Sequence, residues 1–121
     1  MNHDATRTVA KYLDAWNETD VQRRRLALAT LFTEDCAYTD PVAAVNGQAA
    51  LDQLIANVQQ QLPGFKFSLA DKVDSHHEQV RFTWHAAPEG AAEPVVIGFD
   101  LLLLEAGRIR NVYGFLDKVP G

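Results

Sequence analysis

The spacing of hydrophobic residues along this chain changes near its middle, from a helical period to alternation. Between residues 8 and 18, Val9, Tyr12, Leu13 and Trp16 recur at spacings of three and four, which predicts one apolar face of a helix with Tyr12 and Trp16 stacked a turn apart. Asn17-Glu18-Thr19-Asp20 interrupts that pattern. Thr19 or Asp20 can cap a second helix through Leu26, Leu28, Leu31 and Phe32, whose early arginines are expected to face water. Residues 36–39 have strand character and stop at Asp40-Pro41, because proline has no N–H for a sheet ladder and restricts the residue before it. Tyr38 and Asp40 then share a face. After Asn46-Gly47, a clean stripe of Leu51, Leu54, Ile55, Val58 and Leu62 predicts a third helix, ended by Pro63-Gly64.

The second half alternates. Phe65, Phe67, Leu69 and Val73 predict one strand, residues 75–78 a turn, and residues 79–87 a second strand, with Pro88-Glu89-Gly90 opening the next hairpin. Residues 95–104 follow as a strand, and Glu105-Ala106-Gly107 turns the chain into residues 108–117. The fold class expected is α+β: three N-terminal helices packed in a strongly curved, mainly antiparallel sheet. Strands this long should twist and curl into a cone with an apolar mouth, and Gly98 marks a candidate bulge.

Within residues 95–104 both faces are apolar, which an antiparallel sheet with one wet face would not show. Val95, Ile97, Phe99, Leu101 and Leu103 lie on one side, and Val96, Leu102 and Leu104 lie beside Asp100 on the other. The face carrying Phe99 is expected to meet a second copy of the chain, giving a homodimer through the outer sheet face, or else to be covered by the C-terminal segment. Asp100 is the misfit. A carboxylate in such a run needs a partner, such as backbone amides, Arg81 or Arg110, or else a pocket and a raised pKa that lets it donate near neutral pH.

Asp40 reads either as a base or as turn chemistry of the Asp-Pro step, and Tyr12 either as a hydroxyl at a site or as a core aromatic. Trp16, Phe32, Tyr38, Phe82 and Trp84 suit core or pocket wall, and it is open whether Arg81, Thr83 and His85 or Phe82 and Trp84 face the cavity. His76 and His77 are adjacent and make a poor chelate, His85 has no partner at ligand spacing, and Cys36 lies in an apolar strand. No metal site or cofactor is expected. Nor is there a Gly-x-Gly-x-x-Gly, phosphate loop or Gly-x-Ser-x-Gly motif, which removes nucleotide and serine-hydrolase chemistry.

Composition adds a few limits. The chain has 121 residues, 47% of them hydrophobic, enough for one domain over residues 1–121. Eleven basic and 16 acidic side chains leave a net charge of −5, so neither nucleic acid nor a membrane is an expected partner. The lone Cys36 excludes an internal disulfide, and the N-terminus lacks an apolar signal segment, which together suggest a cytoplasmic protein.

With Tyr12-Leu13-Asp14-Ala15-Trp16-Asn17, Leu31-Phe32, Tyr38-Thr39-Asp40-Pro41, Gly98-Phe99-Asp100 and Gly107-Arg108-Ile109 in place, the chain resembles the SnoaL-like members of the nuclear transport factor 2-like superfamily. That resemblance implies the same cone of helices and curled sheet. It also implies a pocket for a small apolar molecule, lined by Trp16, Phe32, Tyr38, Ile55, Val58, Phe82, Trp84, Leu102, Val112, Gly114 and Leu116. The ketosteroid isomerases of that superfamily are the sharpest comparison. Tyr12, Asp40 and Asp100 fall on matching positions, which implies Asp40 as the base beside a carbonyl and Tyr12 with protonated Asp100 as the pair that stabilises the enolate. Ile55 stands where those isomerases carry a supporting tyrosine, and the loop after Pro41 is shorter. The epoxide hydrolase pattern fits less well, since Gly98 replaces an arginine two residues before the aspartate. Three functions follow: a cofactor-free isomerase or polyketide-cyclase-like enzyme acting on an apolar carbonyl compound, a non-catalytic receptor for an apolar ligand, or a dimeric interaction module with its cone filled by side chains.

Overall fold

The computed structural model describes residues 2–120. Helix α1 spans Asn2–Asn17, longer at its start than the periodicity marks, and buries Ala5, Val9, Tyr12, Leu13 and Trp16 as one stripe. The rings of Tyr12 and Trp16 are tilted at 56° with centroids 6.4 Å apart, so they touch at an angle and do not stack.

Helix α2, Val21–Leu31, is capped by Asp20, whose side chain accepts from the Arg23 amide at 2.9 Å. Its buried face is Arg24, Leu28 and Leu31, while Leu26 is 71% exposed. Two expectations change here. Leu26 lies outside the stripe, and Arg24 does not face water: it is 1% exposed and meets Asp52 of α3 at 2.6 Å. Its guanidinium also donates to the Glu18 carbonyl and to Gln59, and Arg25 reaches the other Asp52 oxygen at 3.1 Å. A buried ion pair is costly unless further hydrogen bonds support it, and here the Nη1 group of Arg24 has two such partners.

Phe32 leaves the helix with extended backbone and opens β1, Phe32–Thr39, instead of closing α2. β1 pairs antiparallel with the short β2, Ala44–Asn46, which alternation alone does not reveal. Gly47, at φ +88°, turns the chain into α3, Gln48–Gln61, which buries Leu51, Asp52 and Ile55. The third helix therefore follows two strands, so the three helices are not all N-terminal to the sheet.

The single expected strand over residues 65–73 is two: β3, Phe65–Leu69, and β4, Asp74–His76, which takes in part of the expected turn. Both pair with β5, Gln79–Pro88: Leu69 opposes Trp84 and Asp74 opposes Arg81. Residues 70–73 thus span only residues 82–83 of β5, and the two extra residues break the ladder, one more than a simple bulge inserts. β6, Val96–Glu105, and β7, Arg108–Lys118, complete a seven-stranded sheet in the order β2-β1-β7-β6-β5-β3, with β4 beside β5. It is antiparallel except between β1 and β7. The register slips between Ile97 and Gly98, where the glycine suggested a bulge.

The three helices pack inside this curved, unclosed sheet. Val96, Gly98, Asp100 and Leu102 of β6 point inward and are buried, while Ile97, Phe99, Leu101 and Leu103 are half-buried on the outer face. There Phe99 stacks on Phe115 at 4.9 Å. The chain's end does not cover that face, because Val119 and Pro120 line an inner cavity.

Candidate active site

Strand order brings together residues that are distant in sequence. β7 lies between β1 and β6, with Thr39 opposite Tyr113 and Asp100 opposite Gly114. Asp40, Gly114 and Asp100 therefore form a row across three neighbouring strands, with Gly114 in the middle. A Cβ on Gly114 would lie 2.8 Å from Asp100 Oδ1 and 3.2 Å from Asp40 Cβ, so only glycine leaves this gap open.

Asp100 is 4% exposed. Tyr12 Oη donates to its Oδ2 at 2.7 Å and Trp84 Nε1 to its Oδ1 at 3.2 Å. Neither arginine candidate takes part: Arg81 pairs with Asp74 at the surface and Arg110 is exposed. Trp84 reaches Asp100 from β5 because its ring crosses Gly98, where a Cβ would come within 2.5 Å of the indole. Burial pushes the Asp100 carboxyl up to about 6, against the hydrogen bonds from Tyr12 and Trp84 that hold it down, and the charge of Asp40 pushes it further up. Burial also raises the Tyr12 hydroxyl well above the usual tyrosine range, with the charge of Asp100 adding to the rise, so Tyr12 stays a donor.

Asp40 is bound differently. Its Oδ1 accepts from the Val42 and Ala43 amides, each at 2.9 Å, and its Oδ2 accepts from Tyr38 Oη at 2.7 Å. It closes the β1–β2 turn, where its own amide donates to the Ala43 carbonyl. The Tyr38 hydroxyl is raised by burial, then by the charges of Asp100 and Asp40.

These groups edge a cavity of about 310 Å³ lined by Tyr12, Asp40 and Asp100 among mostly apolar side chains. Of the wall residues expected from sequence, Trp16, Tyr38, Val58, Trp84 and Leu116 line it. Phe32, Ile55, Phe82, Leu102 and Val112 do not: each is at most 2% exposed and packs in the core. Gly114 serves by its missing side chain. On β5 it is Phe82 and Trp84 that turn inward, with Arg81 exposed and Thr83 and His85 half-buried on the other face. Sequence reasoning missed Leu13, Val42, Gln61 and Leu62 on one part of the wall, and Phe67, Val96, Val119 and Pro120 on the rest. Phe67 had a signal in its alternation; Val42 and Val119 sit in irregular segments that carry none.

An aromatic arc frames the space, with centroid distances of 5.7 Å for Trp16–Tyr38, 5.6 Å for Trp16–Phe67 and 5.4 Å for Phe67–Trp84. No Lys, Arg or His lines it among the described residues. Also among them, no three His, Cys, Asp or Glu side chains gather to hold a metal ion, and no helix is long and apolar enough to cross a membrane.

A curved, unclosed sheet around three helices, with two carboxyls on the wall of an apolar cavity, is an α+β fold of nuclear transport factor 2-like type. A family model described as SnoaL-like domain matches residues 9–112, and the chain belongs to that family. A SnoaL-like protein from Agrobacterium tumefaciens, a candidate isomerase, is 36% identical, with a TM-score of 0.89 over 94% of this chain and 97% of that one. Two more distant structures share the fold. A candidate SnoaL-like polyketide cyclase from Jannaschia is 18% identical, with a TM-score of 0.76 over 94% of this chain and 85% of that one. A candidate ketosteroid isomerase from Kribbella flavida is 18% identical, with a TM-score of 0.72 over 98% of this chain and 81% of that one. No curated protein matches this chain.

Proposed function

We propose that this protein is a cofactor-free acid/base enzyme, an isomerase or cyclase that moves a proton next to the carbonyl of a small apolar compound. The observation that carries the reading is Asp100: a carboxyl 4% exposed, on the wall of an apolar cavity, held 2.7 Å from a tyrosine hydroxyl. Its raised pKa of about 6 keeps both protonation states in reach near neutral pH, which proton transfer needs. Tyr12, Asp40 and Asp100 are the proposed reacting groups. Hydroxyl and carboxyl donors in a dry site stabilise an enolate oxygen far better than water does. The candidate isomerase assignment of the Agrobacterium tumefaciens relative supports the same class.

The test is hydrogen exchange of an apolar ketone, 2-tetralone, followed by NMR in D2O. The enzyme reading requires exchange above the buffer rate that is lost in Asp100→Asn. Binding of the ketone with no exchange would leave an apolar-ligand receptor instead.

We further propose a homodimer through the outer sheet face. Phe115 is 52% exposed and Tyr113 38% exposed, beside half-buried Phe99 and Leu101, an apolar surface that a second copy would cover.

A further inference from the structure

The walls of the cavity and its charge suit a ligand that is more than apolar. Five aromatic side chains line it: Tyr12, Trp16, Tyr38, Phe67 and Trp84. From Tyr38 through Trp16 and Phe67 to Trp84, successive ring centroids lie 5.7, 5.6 and 5.4 Å apart. Such an arc borders one space with several electron-rich rings, and each attracts a cation held within about 6 Å of its centroid.

Asp40 and Asp100 share that space, and every hydrogen-bond partner they have is neutral. Asp40 accepts from the Val42 and Ala43 amides and the Tyr38 hydroxyl, and Asp100 from the Tyr12 hydroxyl and the Trp84 indole. The ion pairs among the described residues lie elsewhere, joining Arg24 and Arg25 to Asp52 and Arg81 to Asp74. With no Lys, Arg or His on its wall among those residues, the cavity carries unbalanced negative charge. Carboxylates in an apolar cleft are costly until a cation offsets them, and low-dielectric walls strengthen that attraction. A neutral ligand leaves the cost in place, and an acid adds to it.

Size and entrance fit the same ligand. The volume of about 310 Å³ is at the small end for a ligand pocket. Val42 and Val119 line it while 76% and 56% exposed, so its mouth is apolar.

We propose that the cavity binds a small organic ammonium ion with apolar substituents, its charge set among the aromatic rings and against Asp40 and Asp100. As a statement about substrate this rests on the reaction proposed above and makes that substrate an amino ketone. As a statement about binding it needs no turnover.

The only two tryptophans of the chain, Trp16 and Trp84, both line the cavity, so intrinsic fluorescence reads its occupancy. The whole protein is titrated at pH 8, above the Asp100 pKa of about 6, with phenyltrimethylammonium, tert-butylbenzene and benzenesulfonate. These differ only in the charge and atoms of one tetrahedral group. The cation should bind at least as tightly as its neutral isostere, despite the water it gives up, and about a hundredfold more tightly than the anion. Asp40→Asn and Asp100→Asn should each weaken the cation about tenfold, and Phe67→Leu about threefold, while tert-butylbenzene changes by less than about twofold. A cation bound about tenfold more weakly than tert-butylbenzene would overturn the proposal, as would an anion bound equally well. So would variants that weaken the neutral isostere as much as the cation, because cavity shape and not charge would then be at work. Exchange of 2-tetralone by the same wild-type sample keeps the two readings apart. Exchange without cation preference overturns this proposal and leaves the reaction. Cation preference without exchange supports the binding site and removes the reaction.

Discussion

Replacing Asp100 by asparagine should stabilise the protein at neutral pH, and the gain should vanish in acid. Burial raises this carboxyl from its ordinary 3.8 to about 6, so the folded state holds the proton more tightly than the unfolded chain. Ionisation therefore opposes folding. The contribution of the bound proton is complete below about 3.8 and is lost as pH rises through about 6. At ~1.4 kcal/mol per pH unit, that rise is worth about 3 kcal/mol above pH 7. An amide at this position can keep both contacts, its oxygen accepting from Trp84 Nε1 and its N–H donating to the Tyr12 hydroxyl. Urea unfolding of the wild type and Asp100→Asn at a series of pH values between acid and pH 8 measures the difference. The variant should be more stable by about 3 kcal/mol at pH 8 and nearly equal to wild type at pH 4. A difference independent of pH would refute the reasoning, because it would show that Asp100 ionises alike in the folded and unfolded chains.

Asp52→Asn should destabilise by about 3–5 kcal/mol in the same assay, since it leaves Arg24 buried without its counter-charge. Gly98→Ala puts a Cβ within 2.5 Å of the Trp84 ring and 2.6 Å of the Phe115 carbonyl; it should cost about 1–3 kcal/mol and shift the tryptophan fluorescence. Phe115→Asp should turn the proposed dimer into a monomer on size-exclusion chromatography with light scattering, whereas an unchanged mass would place any interface elsewhere.

The stripes Val9–Tyr12–Leu13–Trp16 and Leu51–Leu54–Ile55–Val58 reveal two helices because burial on one face imposes its own spacing. The α2 stripe is less legible. Its buried face carries Arg24, and a charge in the core reads from sequence as a solvated one until Asp52 is seen beside it. The split of residues 65–76 into β3 and β4 is hidden for another reason: Val73 falls in phase with Phe65, Phe67 and Leu69 although Asp71 interrupts them, and the pairing with β5 shows the break.

The sequence by itself determined where the chemistry could lie: a carboxylate in an apolar run, an aspartate before proline, and a tyrosine on the buried face of a helix. Tertiary structure alone decided their relation. The parallel pairing of β1 with β7, with β7 beside β6, sets Asp40 and Asp100 on either side of Gly114 although they are 60 positions apart in the chain. No local period encodes a pairing of that range. The hydrogen-bond count is also a tertiary result: three donors converge on Asp40, two of them from its own turn, and two on Asp100, both from side chains distant in the chain.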